Sequence, residues 1–161
     1  MKKGNDFYNS QLDEIKKLYR NLQNRVEEKI TMSESAIANV LSVQVTGTSN
    51  AYQFNVKISS PDTGCEQYAD WWEVLGEDGQ LLYRRVLLHS HVDEQPFTRS
   101  GGPVPIAANT IVYVRAHMNI GGYGGDILKG TVESGFNSVV LPSDFASDVE
   151  SQQPLPGGCD F

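Results

Sequence analysis

Between Tyr8 and Val26 the sizeable apolar side chains fall at Tyr8, Leu12, Ile15, Tyr19, Leu22 and Val26, at spacings of 4, 3, 4, 3 and 4. That repeat is a heptad seam along one face of a helix. Leu18 widens the seam on one flank and Ile30 prolongs it less regularly. Asn5 or Ser10 is placed to cap its start, and the stretch from Thr31 to Ser35 reads as its exit. About 25 helical residues reach about 40 Å, longer than a small β-sandwich is wide. The expectation is that another chain completes the seam, as a homo-oligomer or by docking on an assembly partner. The alternative is an intramolecular brace on the chain's own β domain.

From Ile37 onward the period changes to two. Leu41, Val43 and Val45 alternate with polar residues, and Tyr52, Phe54, Val56 and Ile58 alternate with Gln53, Asn55 and Lys57. Gly47 to Asn50 supplies the turn between them, which predicts a hairpin. A second hairpin is predicted from Tyr68–Leu75 and Gln80–His91, joined by Gly76, Glu77, Asp78 and Gly79. Strands are also expected over Thr110–Asn119 and Asp126–Glu133, around the glycine-rich loop 121–125, with a short edge segment near Val104–Ile106. The prediction is mainly β: an immunoglobulin-like antiparallel sandwich of about seven strands, preceded by one long helix.

Composition sharpens this division. Residues 1–32 carry Lys2, Lys3, Lys16, Lys17, Arg20, Arg25 and Lys29 against Asp6, Asp13, Glu14, Glu27 and Glu28, and they include one glycine and no proline. The chain as a whole has 161 residues and a net charge of −7, so its β part is acidic, which argues against a nucleic acid held through its phosphates. No stretch approaches the roughly 20 apolar residues of a membrane span. Three segments follow: a heptad helix at 1–32, a β-sandwich at 33–141, and a C-terminal tail at 142–161 rich in Ser, Asp, Gln and Pro.

Cys65 and Cys159 are the two cysteines of the chain. A bridge between them closes a loop of about 95 residues, worth about 4–5 kcal/mol in the chain-entropy account, and it would tether the polar tail. Such a bridge belongs to an oxidising, extracytoplasmic compartment. Met1, Lys2 and Lys3 resemble a signal n-region, but Gly4 to Asn9 supply no apolar stretch after it. Either the chain is a mature form with a new start, or it is leaderless.

Trp71 and Trp72 on the third strand, Tyr113 on the penultimate one, and Tyr113-Val114-Arg115-Ala116 followed by Gly122-Tyr123-Gly124 resemble the immunoglobulin or fibronectin type III sandwich. The runs Asp62–Val74 and Tyr83–Val104 and the terminal PLPGGCDF resemble a family of bacterial secreted proteins of unassigned activity, over most of residues 40–161. Both resemblances imply a fold and carry over no catalytic residues.

The candidate chemistry lies in the histidines. On a strand, His89 and His91 would share one face with Cα atoms about 7 Å apart, a separation from which two imidazoles can reach one ion. His117 lies on a strand whose apolar positions are Val112, Val114, Ala116 and Met118, so it is expected to project from the outer face. If the two strands share a sheet, His89, His91 and His117 could hold zinc or copper. The order HxH and a later His resembles the carbonic anhydrase ligand set, and HxH with Glu94 and Gly101 resembles the first cupin motif. The chain is too short for the former, and the second cupin motif is missing around His117. The competing reading has the histidines bonded to loop groups and Arg115 paired with Glu73 or Asp70. The glycine loop 121–125 is no phosphate loop, because no helix presents its amides.

The sequence therefore points to a noncatalytic extracytoplasmic structural or binding module that assembles through its helix, with no ligand identified. A three-histidine metal protein is the first alternative, and a leaderless phage or filament subunit the second.

Overall fold

A computed structural model describes residues 3–160, with side chains from 8 to 31 and from 36 to 160. The chain divides into two units, Met1–Ser35 and Ala36–Phe161. The first is a single helix, α1 (Lys3–Ser35), of 33 residues, about 50 Å long at 1.5 Å per residue. Tyr8, Leu12, Ile15, Leu18, Tyr19, Leu22, Val26 and Ile30 are all exposed. No helix among the described residues is long and apolar enough to cross a membrane.

The second unit holds eight strands: β1 (Asn39–Thr48), β2 (Ala51–Ser59), β3 (Ala69–Gly76), β4 (Leu81–Val86), β5 (Phe97–Val104), β6 (Val112–Met118), β7 (Ile127–Thr131) and β8 (Gly135–Val139). They form two antiparallel sheets, β1-β2-β5 and β4-β3-β6-β7-β8. The sequence reading located the two main hairpins, β1-β2 and β3-β4. Asn50 (φ 67) and Gly79 (φ 85) sit in their turns, in the left-handed region that Asn and Gly tolerate best.

Three expectations need correction. Strand β4 stops at Val86 rather than running on to His91, because residues 87–96 leave the sheet as an irregular loop. The edge segment expected near Val104–Ile106 is a full strand that begins at Phe97 and pairs with β2. An eighth strand, Gly135–Val139, closes a hairpin on β7; its sequence, GFNSV, has too little apolar alternation to announce it.

The main core lies between the sheets. Strand β2 contributes Tyr52, Phe54, Val56 and Ile58, the buried half of its alternation. Strand β3 contributes Trp72 and Val74, and β6 contributes Val112, Val114, Ala116 and Met118. Every residue of β3 and β6 is nonetheless buried. Two-sided burial means that the outer face of the larger sheet is covered as well, and the cover is the C-terminal segment. A 3-10 helix, Ser147–Ser151, presents Val149 to Leu75 and Tyr113 in a second, smaller core.

Candidate functional site

The outer face of the five-stranded sheet is built around Glu73. In the β3 register Glu73 stands directly opposite Arg84 of β4 and Arg115 of β6, so one carboxylate is flanked by guanidinium groups on both sides. Arg84 donates from Nε and Nη2 to Glu73 Oε2 at 2.8 and 2.6 Å, and Arg115 donates from Nε to Glu73 Oε1 at 2.8 Å. All three side chains are buried, Glu73 completely.

The remaining arginine donors reach the C-terminal segment. Arg84 donates to the carbonyls of Val149, Gln152 and Pro154 at 2.7, 2.6 and 3.2 Å. Arg115 donates to those of Phe145 and Ala146, each at 2.8 Å. Two side chains thus reach five backbone carbonyls of the segment, one of which, that of Val149, also accepts from the Gln152 N–H, and a planar fork of donors does this well. The cysteine bridge expected from the sequence forms between Cys65 and Cys159, fastening the far end of the same segment.

Beside this row lies a second one, Trp71 opposite His117. Their rings stack at 3.6 Å and 7°, Arg84 lies 4.4 Å from the Trp71 ring, and Arg115 lies 3.5 Å from the Tyr123 ring. His117 Nδ1 lies 2.6 Å from Asp70 Oδ1, and Nε2 lies 3.0 Å from Glu150 Oε1. Burial pushes the Asp70 carboxyl up, and the His117 bond opposes that shift. Of the adjacent tryptophans, Trp72 enters the main core and Trp71 stacks on His117 on the outer face.

The three histidines do not converge. His117 projects from the outer face of β6 as expected, but it is buried beneath the C-terminal segment. His89 and His91 lie in the loop after β4, with ring centroids 4.5 Å apart. Among the described residues, no group of three or more His, Cys, Asp or Glu side chains is arranged to hold a metal ion. His91 is only 2% exposed and stacks on Phe97 at 3.8 Å. Its backbone N–H donates to Asp62 Oδ2 at 2.7 Å, whereas both ring nitrogens lack a partner. Burial, together with the nearby positive charge of Arg99, lowers the His91 pKa to about 4.

Sequence reasoning offered Glu73 or Asp70 as the partner of Arg115, of which the structure shows Glu73, and it missed the parts of Arg84, Asp62 and Glu150. Arg84 had a misleading signal: a regular hairpin joined by Gly76–Gly79 sets Glu73 opposite Leu82, and the register shift between Val74 and Leu75 brings Arg84 there instead. Asp62 had none, because its two oxygens bind Ser60, Ala69 and His91 across irregular backbone.

No protein-family profile matches the chain. No solved structure matches it either. A protein of Halomicrobium mukohataei named "Putative lipoprotein" is 39% identical over 104 residues, which cover 64% of this chain and 51% of that protein. The chain thus spans about half the length of this relative.

Proposed function

We propose that the chain is a noncatalytic, extracytoplasmic structural or binding module that assembles with copies of itself through its N-terminal helix. The observation that carries the assembly is the apolar stripe of α1, whose members from Tyr8 to Val26 keep the 4-3 spacing of a coiled-coil seam while remaining exposed. Burying each such side chain is worth roughly 1.5–3 kcal/mol, and a second copy offers a stripe of matching spacing. The Cys65–Cys159 bridge supports an oxidising compartment, and the name of the Halomicrobium relative agrees with it.

The noncatalytic reading rests on how the charged groups are spent. Glu73 accepts from both arginines, the arginines hold backbone carbonyls, and both His117 nitrogens face carboxylates. Groups so committed are poor acids, bases or nucleophiles, which need a free position toward a substrate. The sheet order also favours the immunoglobulin-like resemblance. Strands 1, 2 and 5 share one sheet and strands 3, 6 and 7 the other, as in that fold; strand 4 pairs here with β3, and β8 is an addition beyond β7.

Light scattering on the full chain tests the assembly. At high micromolar concentration the mass should be a multiple of the monomer, and Ile15→Asp with Leu22→Asp should return it to the monomer. A closed oligomer has a fixed mass, whereas a filament subunit gives a mass that keeps growing with concentration. A monomeric unmodified protein would overturn the reading.

A further inference from the structure

We propose that the loop carrying His89 and His91 is a binding site for a divalent late first-row transition ion, copper(II) above all, with these two imidazoles as its protein ligands. The site differs from the sequence expectation in excluding His117, which Asp70 and Glu150 engage on the outer sheet face.

Three observations converge. The first is the separation of the rings. With a metal–nitrogen distance of about 2.0 Å, two imidazoles at about 90° on one ion have centroids roughly 4.5 Å apart. The His89 and His91 centroids are 4.5 Å apart. The second is the unspent capacity of His91: it is 98% buried, yet neither ring nitrogen has a partner. A buried polar group left in this condition needs a water or an ion to complete it. The third is access and support. His89 is exposed and gives the pair its solvent side, while both His91 ring nitrogens are turned away from solvent. Phe97 stacks against the His91 ring, and Asp62 holds the His91 backbone in place.

The charge around the pair is mixed, with Asp62 and Glu94 drawing a cation and Arg99 opposing one. Asp62 Oδ2 lies 3.8 Å from His91 Nδ1. Arg99, the nearby cation, is engaged by Glu94 at 2.7 Å. Asp62 already accepts from Ser60, Ala69 and His91, so its part is electrostatic, and water fills the remaining coordination positions. Two imidazoles with open equatorial positions suit copper(II), which also stands highest among the divalent ions in affinity for nitrogen ligands.

The test is copper(II) titration of the tag-free, chelator-treated full chain, read by electron paramagnetic resonance for coupling to two nitrogens. One equivalent should bind with that signature. His89→Ala, a change at an exposed position, should weaken binding at least tenfold and remove one nitrogen coupling, whereas His117→Ala should leave affinity within twofold. His91→Ala should act like His89→Ala, with circular dichroism reporting whether it folds. The proposal is overturned if no stoichiometric copper binds, or if His89→Ala binds as tightly with the same spectrum.

Discussion

The helix and the outer face of the larger sheet reverse the usual arrangement of a protein. On α1, Ile15 is 61% exposed, whereas on β3 the carboxylate of Glu73 is fully buried. Hydropathy alone predicts the opposite for both. What separates them is the supply of partners. Glu73 has two arginines opposite it in the sheet register, and those arginines have five tail carbonyls within reach. The apolar stripe of α1 is exposed, and the proposed assembly gives it a partner in a second copy. The outer face is closed on itself and the helix is open.

The comparison breaks most visibly at Glu73. Glu73→Ala removes the anion from between two buried guanidinium groups and should destabilise the β unit by about 3–5 kcal/mol in chemical denaturation. Replacing Glu73, Arg84 and Arg115 together by apolar residues of similar size sharpens the point. An isolated buried ion pair often tolerates such replacement, but here the tail would lose the donors to five carbonyls. The triple variant should therefore show the tail newly open to proteolysis. If it is as stable and protease-resistant as the parent, the arginines do not hold the tail.

Opening the Cys65–Cys159 bridge is the next largest change. The bridge closes a separation of 94 residues and anchors the end of the segment that the arginines hold. Cys159→Ser should cost about 2–4 kcal/mol, measured against the unmodified protein without reductant. A smaller effect comes from acid. The folded His91 pKa, about 4, lies below the unfolded value near 6.5, so between these values the unfolded chain takes up a proton that the folded one refuses. In metal-free protein, stability should fall as pH drops from about 6.5 to about 4, by on the order of 2 kcal/mol, and His91→Leu should remove that fall. A stability flat across this range would mean that His91 titrates as it does when exposed. Least of all, Ile15→Asp with Leu22→Asp should leave the denaturation of the β unit within about 0.5 kcal/mol, because exposed positions contribute little to a fold they do not pack in.

The same contrast explains which features the sequence disclosed. The heptad of α1 and the alternation of β2 are local periodicities, so they were legible without knowledge of the fold. The cysteine bridge was legible because the chain has one possible pairing of two cysteines. Strand β8 was not, since GFNSV forms a strand through its pairing with β7 rather than through its own pattern. Leu82, Val86, Leu88 and Val92 read as the inner face of a strand that carries His89 and His91, with Leu81 and Leu87 on its other side. There Leu87 enters the core from a loop, with its N–H bonded to the Asp70 carbonyl, while Leu88 and Val92 stay exposed. The polar composition of residues 142–160 concealed their role, because apart from Val149 and its neighbours what holds them is backbone carbonyls meeting arginines, a signal no side chain of the segment carries.

Hydrogen exchange of the full chain at two protein concentrations, one low micromolar and one a hundredfold higher, tests the open helix and the closed face together. Amides of α1 from residue 8 to 31 should become markedly more protected at the higher concentration, as a second copy covers the stripe. The tail amides bonded within the segment, Phe145 and Gln152, should exchange at the same slow rate at both. Helix protection that does not change with concentration would contradict assembly through α1, and fast exchange at Phe145 and Gln152 would contradict the closed outer face.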